Sequence, residues 1–523
     1  MRRILLCLFL FAVMTEFSAT AQPITGTTYT DKPLRVEIPA RSVNETYRII
    51  PCGSQGMIIF FKSQEVVDEL KVKWYFSFYD TNLRLVWSKS VPLLTDLDCR
   101  FHQSGRDTLS LLFIYTGKSR NTEKDFNILR IVLDKSTMIM NTGKIPQDAD
   151  AVAFGIRLGL GWIGFNVKGQ PGKILNIRLD RGTMHSFLLG QGSQILLKWM
   201  QPDSSSNTVL CVVSRQVSKR LLEHYLVRYD SMGVIQSEVP IGEHNDYRTL
   251  AHVRFATPGP GSGLVLGCYG QGVSSSGQKD KILAESTGFF ASNIVGGAQK
   301  SVGFFNFLEL KNAGSLLNEH DIINLKKKAL KKNKTLSEYS LDYTLLLHSV
   351  YSWNDQYVLA AEIFTPQYHT ESFTDFDYYG RPYTNSFSVF DGYRFFNTII
   401  AGIDKTGNLL WDNTFEIRNL VSMDLSAKVV VFPSGSDLVL CYVSDGKIGS
   451  KIIHENNVVE KTDFAPIDML YPDDKILSES KGRIVQWYGN YFLTYAYQEI
   501  KNLAIETNNK RLVFYFSKVG FEK

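Results

Sequence analysis

One unit recurs along this chain: a short, almost purely apolar run, a polar loop, and a second β-rich run that ends in an acidic or polar residue and a tight turn. The apolar run begins in turn at Met57, Leu109, Leu160, Val209, Leu264, Tyr357, Leu438 and Tyr491. Its β-branched and aromatic content suits buried strands. The second run closes on Asp80, Asp134, Asp180, Asp230 and Asp404, with weaker copies at His454–Asn457 and Ser517–Gly520. Aspartate followed shortly by Gly or Asn favours a β-turn, because its carboxylate accepts from the turn backbone and Gly tolerates positive φ. Asp80, Asp134, Asp180 and Asp230 stand 54, 46 and 50 residues apart. A four-stranded propeller blade needs about 40–50 residues.

The expected fold is therefore all-β: a seven- or eight-bladed β-propeller, with one helical and one aromatic hairpin insertion. Two β-sandwiches would also give regular short strands, but the turn recurs at a single, blade-like period. The last unit lacks an outer strand, and the segment from Lys32 to Ile38 can supply it and close the ring. The expected organisation is a leader over residues 1–21 and a single propeller domain over 22–523, with insertions at about 270–303, 315–341 and 366–396.

Ile400–Trp411 resembles the repeat of the pyrroloquinoline-quinone-type, WD-like propellers, in which an Asp-x-x-Gly turn precedes a Trp on the next strand. Here Asp404, Gly407 and Trp411 fill those places, and Tyr79–Trp87 is a looser copy. The remaining units lack the Trp. The resemblance implies architecture and not the quinone, and no cofactor is expected.

The compartment follows from the first residues. Arg2 and Arg3, the apolar run Ile4–Met14, and Ala19-Thr20-Ala21 form the basic, apolar and small-x-small parts of a secretory leader, with cleavage expected after Ala21. The apolar run is too short to span a bilayer, which takes roughly 20 apolar residues. No later segment reaches that length, so no transmembrane segment is expected after cleavage. The protein is expected to be exported: periplasmic, outer-surface or secreted. Cys52, Cys99, Cys211, Cys268 and Cys441 remain, an odd number without a C-x-x-C pair, so no metal site is expected. Cys211, Cys268 and Cys441 sit in apolar strands, where a free thiol behaves as a small hydrophobe. A net charge of +5 on 523 residues, with scattered basic side chains, leaves no footprint for nucleic acid.

Binding residues usually sit on insertions carried by a rigid scaffold. Gly270 to about Gly303 is rich in Gly and Ser and reads as a long loop. Ser315 to about Leu341 reads as a helix, with Lys326, Lys327, Lys328, Lys331, Lys332 and Lys334 at its C-terminal end. Those lysines suit a solvated face, or a surface for anionic polymer or lipid headgroups. Pro366–Phe396 holds eleven Tyr and Phe among its 31 residues, interleaved with Asp and Arg. Rigid aromatic area with polar handles is the composition of binding hot spots and suits sugar rings. The candidate binding residues are Tyr378, Tyr379, Arg381, Tyr383, Asp391 and Arg394. The other reading is a hairpin that covers the propeller with its aromatics buried. No catalytic pattern occurs: neither His-Glu-x-x-His, nor Gly-x-Ser-x-Gly, nor an EF-hand loop. The expected role is a non-catalytic binding or assembly module at the cell envelope, with a glycan or an envelope protein as partner. A propeller-type glycan hydrolase or lyase is the alternative, and it asks for paired carboxylates at the ring axis.

Overall fold

The computed structural model describes residues 35–521 apart from 43–45, 118–120, 192–194, 219–220, 244–247, 258–261, 272–284, 313–326, 328–342 and 505–509. The expected leader, Met1–Ala21, and the expected helix, Ser315–Leu341 (Lys327 aside), lie outside the described residues.

The described residues form eight antiparallel sheets that follow one another along the chain. Seven are four-stranded; the sixth counts six strands, because Glu285–Ser286 joins its inner edge and the inner strand is split into Tyr343–Leu347 and Tyr351–Trp353. The eight apolar runs of the sequence are the second strands of the eight sheets, Met57–Asp68 through Tyr491–Lys501. Each sheet packs on the next through its own buried core. Trp74 and Phe76 of the first sheet meet Leu111 and Phe113 of the second, and so on around the molecule. The eighth core joins Tyr495, Tyr497 and Phe514 of the last sheet to Met57 and Ile59 of the first. Eight sheets with eight intervening cores make a closed β-propeller of eight blades, and the two-sandwich alternative falls. Both faces of a second strand are covered by neighbouring blades. Such strands read as unbroken apolar runs rather than alternating ones, since neither face meets water.

The ring shuts as the sequence predicts. Arg35–Pro39 pairs antiparallel with Lys510–Gly520 in register Arg35↔Ser517 to Pro39↔Val513 and becomes the outer strand of blade eight. Glu37 sits between two arginines there, accepting from Arg35 Nε at 2.8 Å and from Arg511 Nε at 3.1 Å. Arg511 also grips Asp474, Nη1 to Oδ1 at 3.0 Å and Nη2 to Oδ2 at 2.6 Å. All four side chains are buried or nearly so. A burial of charge on this scale requires such mutual pairing.

Three of the aspartate turns share one arrangement. Asp80 Oδ1 accepts from the backbone N–H of Asn82 and Arg84 at 2.8 Å, and Asp404 Oδ1 accepts from Thr406 and Asn408 at the same distance. Asp230 does likewise with Met232 and Val234. Gly407 provides the positive φ of 95° at the fourth position, where a side chain on most residues would be strained. The tryptophans of the quoted repeats, Trp87 and Trp411, both stand on the outer strand just beyond the turn.

Two expectations need correction. Gly270–Gly303 is not one long loop. Gly288–Val295 and Ala298–Asn306 are the third and fourth strands of blade five, and the Gly296-Gly297 pair is merely their hairpin turn at φ 60° and 78°. Small residues misled there because Gly288 and Gly303 lie inside strands; a Cβ on Gly288 would meet the Phe305 carbonyl oxygen at 2.2 Å. Ser517–Gly520 is not a turn either but the end of a strand, because the fourth strand of that blade comes from the N-terminal side. The five cysteines are all buried free thiols, and burial pushes those of Cys52, Cys99, Cys268 and Cys441 up to about 12.

Candidate functional site: a two-faced aromatic hairpin

In blade six the second and third strands, Gln356–Phe376 and Pro382–Ile403, run far past the sheet that starts them. The stretch from Tyr368 to the tip projects by roughly 30 Å at the usual rise per residue. Its tip uses the same aspartate turn as the scaffold. Asp377 Oδ1 accepts from Tyr379 N at 2.9 Å and Arg381 N at 2.8 Å, and Gly380 takes φ 74°. That turn sets the register Phe376↔Pro382 through Tyr368↔Phe390 without a break. A fixed register sorts the side chains onto two faces, since alternate residues of a strand point oppositely.

One face carries the pairs Thr370/Ser388, Ser372/Ser386 and Thr374/Thr384, bracketed by Tyr368/Phe390 at the root and Phe376/Pro382 at the tip. It is a ladder of hydroxyls between aromatic ends; Ser372 Oγ and Ser386 Oγ share a hydrogen bond of 2.9 Å. The other face carries His369/Val389, Glu371/Phe387, Phe373/Asn385 and Asp375/Tyr383. There Phe373 and Phe387 lie 6.1 Å apart, and Tyr383 donates to Asp375 Oδ2 at 3.2 Å. His369 stands between Asp391 Oδ1 at 2.5 Å and Glu371 Oε1 at 3.2 Å, and these bonds, Asp391 first, raise its imidazolium above the usual range.

The alternative of a cover with buried aromatics fails for the outer part of the hairpin, although Phe395 at its root is buried. Tyr378 is 97% exposed and Tyr379 80%, and Tyr368, Phe373, Phe376, Tyr383 and Phe387 are exposed as well. Both faces of the hairpin are solvated, and among the described residues no other element packs against its outer part. The root is stiff by contrast. An aromatic column runs from buried Phe364 through Tyr393, 5.5 Å away, to Phe390 at 5.0 Å and Tyr368 at 5.4 Å. Behind it, fully buried Glu362 accepts from Lys428 N and Val429 N at 2.8 Å each, and shares a 2.7 Å hydrogen bond with His348 Nε2. Those bonds fix the start of the next blade against the hairpin's root. Lys428 Nζ donates to Ser422 Oγ at 2.9 Å and lies 5.4 Å from the Phe395 ring; burial lowers its amine to about 8.

Of the residues singled out in the sequence, Tyr378, Tyr379, Arg381 and Tyr383 gather at the tip, where Tyr378 and Tyr379 meet edge to face at 5.5 Å. Arg381 lies 6.0 Å from the Tyr379 ring. Asp391 and Arg394 are brought to the root instead, so the six make two stations and not one cluster. Sequence reasoning passed over His369 and Glu371, although their i, i+2 spacing and the Asp377 turn place them on one face with Tyr383. It also passed over a groove at the root. Arg394, Phe396, Thr414, Arg418, Lys451 and Thr462 are among the residues lining about 710 Å³ of open space there.

Three carboxylates near the inner strands have partners. Asp98 binds Arg48 at 2.6 Å, Asp424 binds Arg483, and Glu479 accepts from Gln498 Nε2 at 2.7 Å while burial raises its carboxyl. No group of three or more metal-ligating side chains comes together among the described residues.

No family model matches the chain, and no curated protein matches it. Among solved structures, a polysaccharide lyase is 6% identical, with 80% of this chain and 89% of that one covered at a TM-score of 0.37. A prolyl endopeptidase is 8% identical, with 80% and 50% covered at 0.35. An apocarotenoid oxygenase of Synechocystis is 10% identical, with 49% and 60% covered at 0.30.

Proposed function

We propose that this chain is an exported, non-catalytic binding module of the cell envelope whose blade-six hairpin captures a glycan. The observation that supports this reading most is the pairing of a stiff root with an outer hairpin whose aromatics are solvated on both faces. Exposed aromatic surface of this extent costs solvation free energy and marks a contact region. Tyrosine and phenylalanine offer flat area at little cost in side-chain entropy, and sugar rings present apolar faces to it. Glu371, Asp375 and the hydroxyl ladder supply acceptors for sugar hydroxyls beside that area. The leader-like residues Met1–Ala21 support export.

The test is a glycan-array and peptidoglycan pull-down with the chain beginning at Gln22, alongside Tyr379→Ala and Arg381→Ala. A ligand retained by the parent and weakened about tenfold or more by Tyr379→Ala is the expected outcome, since a lost hot spot costs about 2 kcal/mol or more. Unchanged retention by both variants would remove the hairpin tip from the binding site.

A further inference from the structure

The groove at the hairpin's root has a construction of its own. In the sheet, Asn397 pairs with Glu416 but Phe395 pairs with Leu420. Residues 417–419 therefore stand opposite Phe396 alone, an insertion of two residues that splays the outer strand from the third. Bulges of this kind re-aim side chains and recur beside binding sites. This one is pinned from the next blade, where the hydroxyl of fully buried Tyr442 accepts from Arg418 N at 2.9 Å. The splay opens the groove and turns Arg418 along its wall.

Its charge is one-sided. Arg394, Arg418 and Lys451 line it against the single carboxylate of Glu416. Glu416 is held by Arg418, whose Nε and Nη2 reach the same Oε2 at 3.0 and 2.8 Å, which leaves Nη1 of that guanidinium outside the pair. Lys451 is fixed at the wall by donating to Asn413 Oδ1 at 3.0 Å and Thr414 O at 2.5 Å. Arg394 is exposed and lies 5.3 Å from the Phe396 ring, which orients its plane without neutralising it. No carboxylate lies within ion-pair distance of Arg394 among the described residues. Thr414 and Thr462 add hydroxyl donors. A fork of arginine donors beside a spare lysine proton matches the oxygens of a carboxylate or sulfate.

We propose that this groove binds the oxyanion of an acidic glycan, a ring carboxylate or a sulfate ester, while the hairpin above stacks on neighbouring rings. The inference rests on the glycan reading and narrows its substrate class. The tip aromatics and Arg394 of the groove lie along the same strand pair, so a polymer can lie along both.

The experiment titrates the chain beginning at Gln22 with polygalacturonate, dextran sulfate and neutral dextran, using the parent, Arg394→Gln, Arg394→Lys and Tyr379→Ala. Arg394 is exposed, so both variants are expected to fold as the parent does. The proposal expects one of the acidic polymers to bind, with affinity falling as salt rises. Arg394→Gln weakens that polymer about tenfold or more, because it removes charge-assisted hydrogen bonds to the oxyanion, and Arg394→Lys recovers part of it. Preference for polygalacturonate assigns a carboxylate, and preference for dextran sulfate a sulfate. Acidic polymers that bind Arg394→Gln as well as the parent would overturn the groove, with any anion binding then lying elsewhere. Neutral glycans that bind as well as acidic ones, and lose affinity only in Tyr379→Ala, would overturn the groove and keep the hairpin reading. Failure of every polysaccharide would overturn both.

Discussion

Blade eight and blade six treat polar and apolar surface in opposite ways. Blade eight joins the two ends of the chain, and its charges are buried and mutually paired: Arg35, Glu37, Arg511 and Asp474 form a chain of ion pairs, with Arg35 also 4.0 Å above the Tyr515 ring. Blade six needs no closure. It pushes two strands into solvent and leaves their outer aromatics exposed, with no partner from another element among the described residues. The first arrangement is costly to disturb, because a buried charge that loses its partner keeps its desolvation penalty. The second is cheap to disturb, because solvated side chains contribute little to folding. The comparison separates the part of the ring that carries stability from the part available for binding.

The largest expected effect is therefore at the closure. Glu37→Ala leaves Arg35 buried without a carboxylate and is expected to cost about 3–5 kcal/mol in urea unfolding. Replacing both partners, Arg35→Met with Glu37→Leu, is expected to recover most of that loss, since apolar side chains of similar volume need no partner. A cost below about 1 kcal/mol for Glu37→Ala would show that the strand pairing alone seals the ring.

The next effect lies where blade six meets blade seven. Lys428 is protonated only below about 8 in the folded chain, against 10.5 as its ordinary value. Between those two values the unfolded chain binds the more protons, so stability rises with pH across that window and is lowered below it. The gain is about 3 kcal/mol at most. Other groups titrate in the same range, so the readout is the difference in unfolding free energy between the parent and Lys428→Met, followed from pH 7 to 10.5. A flat difference would place the amine in contact with water.

Much of this was legible before any coordinates. All eight second strands were found, because strands covered on both faces must be apolar throughout. The closing strand was found because the final repeat was one strand short. The inner strands escaped notice: Lys475–Tyr488 mixes Ser, Glu, Lys and Gly with apolar residues, as a strand facing the ring's axis can. The Gly- and Ser-rich stretch around 288–303 was misread for a different reason. Composition reports the freedom of a backbone but not the crowding that also demands glycine. At the hairpin, composition located the aromatics but not their exposure, which depends on whether another element packs over them. The root groove was invisible, since its lysine and threonine come from blade seven and its opening comes from a bulge.

Excising the outer hairpin tests the other half of the comparison. Replacement of residues 368–390 by a short turn removes the Tyr368–Phe390 and Phe390–Tyr393 contacts and the His369–Asp391 bond but leaves Phe364, Tyr393, Phe395 and the Glu362 cluster in place. The expected change in unfolding free energy is within about 1 kcal/mol, because the excised side chains are already solvated in the folded state. A single tip variant, Tyr378→Ser, is expected to stay within about 0.5 kcal/mol and to leave the midpoint of thermal unfolding where it was. Glycan retention should be lost in the excised chain at the same time. Were the excision instead to destabilise the protein as much as Glu37→Ala, the outer strands would have to be packed against something in solution. A second copy of the chain would be the first place to look, and sedimentation of the parent against the excised form would show it as a loss of mass beyond the residues removed.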